Sequence, residues 1–226
     1  MNVCIVGDGI TSLSLAKNLI NKKINVHIYQ KKVINNSFLS RTIGISKNNL
    51  KFFKKEILQL PKKIIWEIKK IEIYSEKLNK KKLLEFQSNK ENLFYMIKNQ
   101  KLYEALDKKL SKSKFFKKKI IKKKSFYDKL LEKNPYDLII NCDQSNIITK
   151  KYFIKKIEKN YKNLAYTTIL EHEKLENNSA VQVFTNLGPI AFLPISNIKT
   201  SVVFSLDIKK KNYNEKEILY LIKKYN

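Results

Sequence analysis

The sequence is poor in the residues that break or staple a chain, with four glycines, four prolines and two cysteines in 226 positions. The two cysteines, Cys4 and Cys142, form neither a disulfide framework nor a CxxC metal knuckle, so a reducing cytoplasm is the expected compartment. Scarce proline and glycine, with 43% hydrophobic and 11% aromatic residues, exclude a wholly disordered chain. No apolar run reaches the roughly 18 residues that span a bilayer. The opening MNVCIVGDG lacks the basic head and unbroken apolar stretch of a signal peptide. Only two histidines occur. His27 alternates within a strand, a packing position, and His172 lies between Glu171 and Glu173, where three successive strand residues cannot share one face. No metal site is expected. No internal repeat is visible.

Acidic residues are also few: 20 against 47 basic ones, for a net charge of +27. Arginine, however, is nearly absent, and Arg41 is the sole example. Bidentate recognition of phosphate and guanine uses the guanidinium fork, so the excess of lysine argues against a specific nucleic-acid partner. Lys, Ile and Asn together make up 100 of the 226 residues, and all three have codons rich in A and T. A low-GC genome therefore accounts for the charge. A Lys-rich polyanion-binding protein remains the second alternative function, because charge alone says little about a partner. The run KFFKKKIIKKKSF, residues 114–126, reads as a solvated strand or helix edge.

What is present is order at the N-terminus. Val3 to Val6 form a short apolar run, followed at once by Gly7-Asp8-Gly9. From Ile10 the period changes, and Ile10, Leu13, Ala16, Leu19 and Ile20 fall on one helical face. Residues 25–30, NVHIYQ, then form a second strand. Strand, glycine turn, helix and strand open a βαβ unit, the context that gives a GxGxx[GAS] fingerprint its meaning. Gly7 permits the tight turn and Gly9 lets the backbone approach a pyrophosphate. The phosphates would rest on the N–H groups of Ile10, Thr11 and Ser12. Ser12 takes the third small position. Gln30 ends the second strand, where the fingerprint wants a carboxylate for the ribose hydroxyls; its carbonyl accepts without charge.

Farther on, residues 47–60 have a helical pattern that Pro61 stops. Residues 64–74 read as a strand with 83–86 as its partner. Ile97, Leu102, Leu106 and Leu110 have helical spacing, after a short extended stretch. Residues 136–142, YDLIINC, form a buried-strand pattern ending at Asp143. From Asn163 four runs, with a turn at Gly188, predict an antiparallel sheet, and residues 214–225 predict a helix. Trp66 and the tyrosines suit core or pocket lining, and Cys142 has no basic neighbour in sequence to activate it.

These segments resemble the flavin-dependent aromatic-ring hydroxylases of the para-hydroxybenzoate hydroxylase fold, and within them the ubiquinone-biosynthesis branch (2-polyprenylphenol hydroxylases). The resemblance is carried by VCIVGDGITSLSLAKNL, by RTIGIS from Arg41 to Ser46, and by YMIKNQKLYEAL from Tyr95 to Leu106. It continues through YDLIINCD, TTILEHE, FTNLGPIAFLPI and SVVFSL, and covers nearly the whole chain.

The resemblance implies an α/β fold: a Rossmann-like FAD-binding domain with an inserted antiparallel β-sheet substrate domain. The discontinuous FAD-binding domain would comprise residues 1–62 and 94–155, and the substrate sheet 63–93 and 156–210. Residues 211–226 would begin a helix leading to a missing C-terminal segment. FAD is the implied cofactor, held by Gly7, Gly9, Ile10, Thr11, Ser12, Gln30, Arg41, Asn99 and Asp143, with NAD(P)H or another donor as co-substrate. Asn99 would lie near the ribityl or ribose region, and Asp143 would support the pyrophosphate and flavin chain. The implied reaction is reduction of FAD, O₂ addition and hydroxyl transfer to a hydrophobic phenolic small molecule, with no catalytic triad or metal. The implied setting is cytoplasmic, with peripheral contact at the inner-membrane surface.

Three departures stand out. Gln144 replaces the glycine of the D-G motif, with Lys150 where an arginine is usual, so a Cβ would meet any need for positive φ there. The stretch 107–135 is shorter than in the family. The second flavin motif, G-D-A-x-H-x-x-x-P, is absent from the 226 residues. A C-terminally truncated chain is therefore expected, its open apolar edge covered by a partner chain or a ubiquinone-synthesis complex. The first alternative function is accordingly an inactive or split-gene nucleotide-binding remnant.

Overall fold

The computed structural model describes residues 1–31, 41–78, 81–88, 91–123, 125–133, 135–152, 157–207 and 213–226. Lys124 of the lysine-rich run, and residues 32–40, 79–80, 89–90, 134, 153–156 and 208–212 of the expected domains, lie outside the described residues. Along the chain run β1 (Asn2–Val6), α1 (Ile10–Asn21), β2 (Asn25–Gln30), β3 (Thr42–Ser46), α2 (Lys47–Phe52), β4 (Ile65–Ile68), β5 (Lys70–Ser75), β6 (Lys81–Gln87) and β7 (Phe94–Lys98). Then follow α3 (Asn99–Leu110), β8 (Phe116–Ile120), α4 (Phe126–Lys133), β9 (Leu138–Asn141) and α5 (Ile147–Tyr152). The chain continues through β10 (Asn163–Glu171), β11 (Ser179–Thr185), β12 (Gly188–Ser196), β13 (Lys199–Asp207) and α6 (Glu215–Tyr225). Two compact units result: Met1–Ser40, Lys51–Leu60 and Asn99–Ile157 form the first, and Arg41–Leu50, Pro61–Lys98 and Glu158–Asn226 the second.

The first unit is built on a parallel sheet in the order β8-β2-β1-β9. Val3, Cys4, Ile5 and Val6 are buried, as a strand covered on both faces requires. Cys4 and Val6 pack with Tyr127 and Leu130 of α4, Tyr136, and Ile148 of α5. Val3 and Ile5 alternate to the opposite face. Leu13, Ala16 and Ile20 of α1 are buried, as are Leu102, Leu106 and Leu110 of α3, which packs beside α1. The expected βαβ opening is present, and the C-terminal ends of β1, β2 and β9 point the same way. The lysine-rich run contributes β8, an edge strand on which Lys117 and Lys119 are exposed; charge at an edge discourages pairing with another chain. Its last residue, Phe126, already opens α4.

The second unit holds a six-stranded sheet, β10-β13-β12-β11-β5-β6, and a three-stranded antiparallel sheet, β3-β7-β4. On one face of the larger sheet, Ile218 and Ile222 of α6 pack against Val183, Ile190, Phe192, Val202, Phe204 and Leu206. On the other, Ala180, Ile71, Leu193 and Ile195 meet Ile68, Met96, Trp66 and Phe94 from β4, β7 and their surroundings. Helix α6 begins at Asn214 with a reciprocal capping box to Glu217. Gly188 has φ +137°, and a Cβ there would fall 1.9 Å from the Ser205 carbonyl oxygen, so only glycine fits this hairpin.

Several local expectations change. The single strand over 64–74 is two, because Lys69 leaves the ladder and bonds the Asn178 carbonyl at 3.0 Å, handing the chain from one sheet to the other. The four antiparallel runs are part of a six-stranded sheet, and β5 joins β11 in parallel. Ile97 lies in β7, one strand before the helix that starts at Asn99. Helix α2 ends at Phe52, continues as a π turn over Phe53–Ile57, and gives way to extended Leu58. Leu58 and Leu60 are buried there, and the residue before Pro61 is disfavoured in α geometry. Residues 41–50 and 94–98 group with the second unit, as does α6. No helix among the described residues is long and apolar enough to cross a membrane.

Candidate functional site

At the C-terminal end of the parallel sheet lies a cleft of about 420 Å³, walled by Gly7, Asp8 and Gly9 after β1, Tyr29 and Lys31 around the end of β2, and Cys142 to Ser145 after β9. This is where an open α/β sheet binds ligands. Gly7 has φ +110°, and its N–H donates to the Tyr29 carbonyl at 2.8 Å. A Cβ at Gly7 would lie 3.2 Å from the Cys142 carbonyl carbon. Gly9 is different: it has ordinary extended geometry as the N-cap of α1, and nothing lies within 4 Å of where its Cβ would be. The open volume above Gly9 is therefore on the cleft side, not taken up by the protein.

The first backbone bond of α1 runs from the Leu13 N–H to the Gly9 carbonyl at 3.0 Å. The N–H groups of Ile10, Thr11 and Ser12 precede it, at the positive end of the helix dipole. Ser12 itself is buried, and its hydroxyl has no partner. Gln30 closes β2 with a buried Oε1 that likewise lacks a partner, and Asn99, first in α3, has an unpartnered Oδ1. Buried acceptors left unpaired in this way suit a ligand that supplies hydroxyl donors.

Of the two acids lining the cleft, Asp143 has more hydrogen-bond partners. Its carboxylate accepts from the Ser145 N–H at 2.9 Å and the Ser145 hydroxyl at 2.7 Å, and pairs with the Lys31 ammonium at 2.9 Å. Lys31 also donates to the Ser145 hydroxyl at 2.7 Å. Burial pushes the Asp143 carboxyl up, but the bonds from Lys31 and Ser145 outweigh it and hold the group below its ordinary range. Asp8 is drawn elsewhere, accepting from the Tyr103 hydroxyl at 3.4 Å. Lys118 donates to that hydroxyl at 2.7 Å and pairs with Asp107 at 3.0 Å. Burial, helped by Asp8 and Asp107, raises the Tyr103 phenol above its usual value, although Lys118 opposes this.

The structure thus brings Gly7, Gly9 and Asp143 to one cleft, with Ile10 to Ser12 in the adjoining helical turn and Gln30 at the end of the neighbouring strand. Arg41 is exposed and belongs to the second unit. Gln144 lines the cleft without positive φ, so the expected conformational conflict at this position does not arise. Lys31, Ser145, Tyr29 and Ile121 were not legible as site residues. Asp143-x-Ser145 is an Asx-turn pattern that could have signalled the loop, whereas Lys31 is indistinguishable in sequence from the surrounding lysines. His172 bonds the Glu173 carbonyl at 2.8 Å and Thr200 at 3.0 Å, a packed position in the second unit.

No protein-family model matches the chain, and no curated protein matches it. Solved structures do. The FAD-dependent monooxygenase PqsL of Pseudomonas aeruginosa is similar with a TM-score of 0.70 at 11% identity, over 93% of this chain and 61% of that one. HpxO of Klebsiella pneumoniae, solved with FAD, gives 0.67 at 12% identity, over 97% and 60%. A geranylgeranyl bacteriochlorophyll reductase-like protein of Thermoplasma acidophilum gives 0.68 at 15%, over 99% and 60%. The chain spans about three fifths of the length of these structures, and over that span it has the fold of FAD-dependent monooxygenases.

Proposed function

We propose that this chain serves an FAD-dependent monooxygenase that hydroxylates an aromatic ring of the polyprenylphenol type in ubiquinone biosynthesis, with NAD(P)H or another electron donor as reductant. The observation that carries the reading is the cleft over β1, where a forced turn at Gly7 and open space above Gly9 face free helix N–H groups. The residues fit the ADP half of FAD. Gly9 offers the pyrophosphate an approach that any side chain would fill, and the unpaired Gln30 Oε1 can accept from a ribose hydroxyl. Asn99 has a similar unpaired acceptor for a cofactor hydroxyl, and Arg41 is assigned to flavin contact on the motif resemblance alone. FAD, when bound, supplies the redox chemistry that lets O₂ deliver one oxygen atom to the ring and the other to water, at the expense of a two-electron donor.

The protein's part is to bind, orient and keep water out. In the second unit, the sheet face opposite α6 carries Ala191, Leu193, Val203, Gln182 and Ile73, and runs out to Leu84 and Phe86 at the β6 edge. Leu84 and Phe86 are 54% and 49% exposed, and such exposed apolar side chains suit a substrate with a hydrophobic tail. A partner chain or a membrane surface is proposed as the setting that covers such apolar area in the whole enzyme. The lysine excess needs no polyanion, since the lysines of β8 guard an open sheet edge. The test is flavin content: purified protein should be yellow with flavin near stoichiometry, or take up added FAD to that level. Colourless protein that takes up none overturns the proposal.

A further inference from the structure

In a chain with net charge +27, the cleft over β1 is lined, among the described residues, by one cation, Lys31, and two carboxylates, Asp8 and Asp143. The glycine turn leaves room for a pyrophosphate, but the described side chains around it bring no net positive charge while Lys31 is paired with Asp143. Lys31 follows β2 and Asp143 follows β9, and these strands flank β1. Two strand spacings amount to roughly 10 Å, so the Lys31–Asp143 pair spans the end of β1 and lies across the glycine turn.

We infer that Lys31 is the cleft's phosphate-binding cation, held in reserve by Asp143 and exchanged from that carboxylate to the nucleotide's phosphate on binding. The inference rests on the nucleotide-binding reading above. Three observations make the exchange inexpensive. The Lys31 side chain is 49% exposed, and ion pairs of that exposure contribute little net stability. Asp143 keeps two bonds from Ser145, through its N–H at 2.9 Å and its hydroxyl at 2.7 Å, so release of Lys31 does not leave a bare carboxylate. The ammonium in turn gains a charge-assisted bond to a phosphate oxygen. Asp8 is held by Tyr103 and does not compete for the same ammonium.

The exchange gives Asp143 a sign opposite to that of a simple cofactor ligand. If Asp143 restrains Lys31, D143N should bind anionic nucleotide more tightly. If Asp143 holds the nucleotide, D143N should bind it less tightly. The test is calorimetric titration of the full chain with ADP and with FAD, for wild type, D143N, K31M and the two combined, at two salt concentrations. D143N is expected to bind ADP at least threefold more tightly, with a steeper loss of affinity in salt. K31M is expected to bind at least tenfold more weakly, and D143N with K31M should match K31M alone. Wild-type binding with equal or weaker binding by D143N overturns the exchange and leaves the nucleotide site standing. Absence of ADP and FAD binding in every variant overturns both.

Discussion

A β-carbon on Gly7 would stand 3.2 Å from the carbonyl carbon of Cys142, in the loop that follows the neighbouring strand. The glycine turn and the β9–α5 loop are therefore fitted to each other, and the backbone at φ +110° adds its own restriction. G7A is expected to cost about 1–3 kcal/mol, from the conformation and from displacement of a backbone that cannot move aside cheaply. G9A, with ordinary geometry and open space, is expected to cost less than about 1 kcal/mol. Urea midpoints of the two variants check the contrast, and equal losses would contradict it.

His27 donates to or accepts from the Tyr136 hydroxyl at 2.7 Å, and that hydroxyl bonds Tyr29 at 2.7 Å. Burial, with Lys119 and Lys117 adding to it, lowers the His27 pKa from 6.5. The folded chain thus favours the neutral ring, and on acidification the unfolded chain takes up the proton first. The stabilisation is fully present above about pH 6.5 and is lost as pH falls through the lower folded value. Wild type should lose melting temperature between pH 7 and pH 5 more steeply than H27Q. Parallel slopes would show that His27 is not the group responsible.

The two cysteines should differ in reactivity. Burial pushes the Cys4 thiol up to about 12, while Cys142 is half-buried and lines the cleft. In native protein one thiol is expected to react rapidly with an aromatic disulfide reagent, forming a mixed disulfide and releasing one equivalent of aromatic thiolate, and the second only on unfolding. Saturating ADP should slow the first. Rapid reaction of both thiols would contradict the packing of β1.

At the start of α6, Asn214 accepts from the Glu217 N–H at 3.0 Å while Glu217 accepts from the Asn214 N–H at 2.9 Å. N214A should cost about 0.5–2 kcal/mol, and chemical denaturation of the full chain measures it. A change smaller than the error of the midpoint would mean that Ile218 and Ile222 anchor the helix without its cap.

Much of the first unit was legible because its signals are local. The apolar run at Val3, the glycines and the period change at Ile10 act within a few residues of one another, and the structure follows them. The second unit was legible only in part. That residue 69 divides one apparent strand between two sheets depends on a bond to Asn178, more than a hundred positions away. Parallel pairing of β5 with β11 is likewise a matter of topology that no alternation of side chains encodes. Within the cleft, Gly7 and Asp143 carried motif signals. Lys31 was hidden among 46 lysines of one composition, and only its bonds to Asp143 and Ser145 set it apart.

The central claim is that the cleft above Gly9 holds the pyrophosphate of FAD. Titrating FAD into wild type and G9V, followed by flavin fluorescence, addresses it directly, because Val is compatible with the extended Gly9 backbone and fills only the open space. Wild type should bind about one FAD per chain, as expected of a single fingerprint turn, and a natively folded G9V should bind none. Unchanged affinity in G9V, or no binding by wild type, would contradict the account.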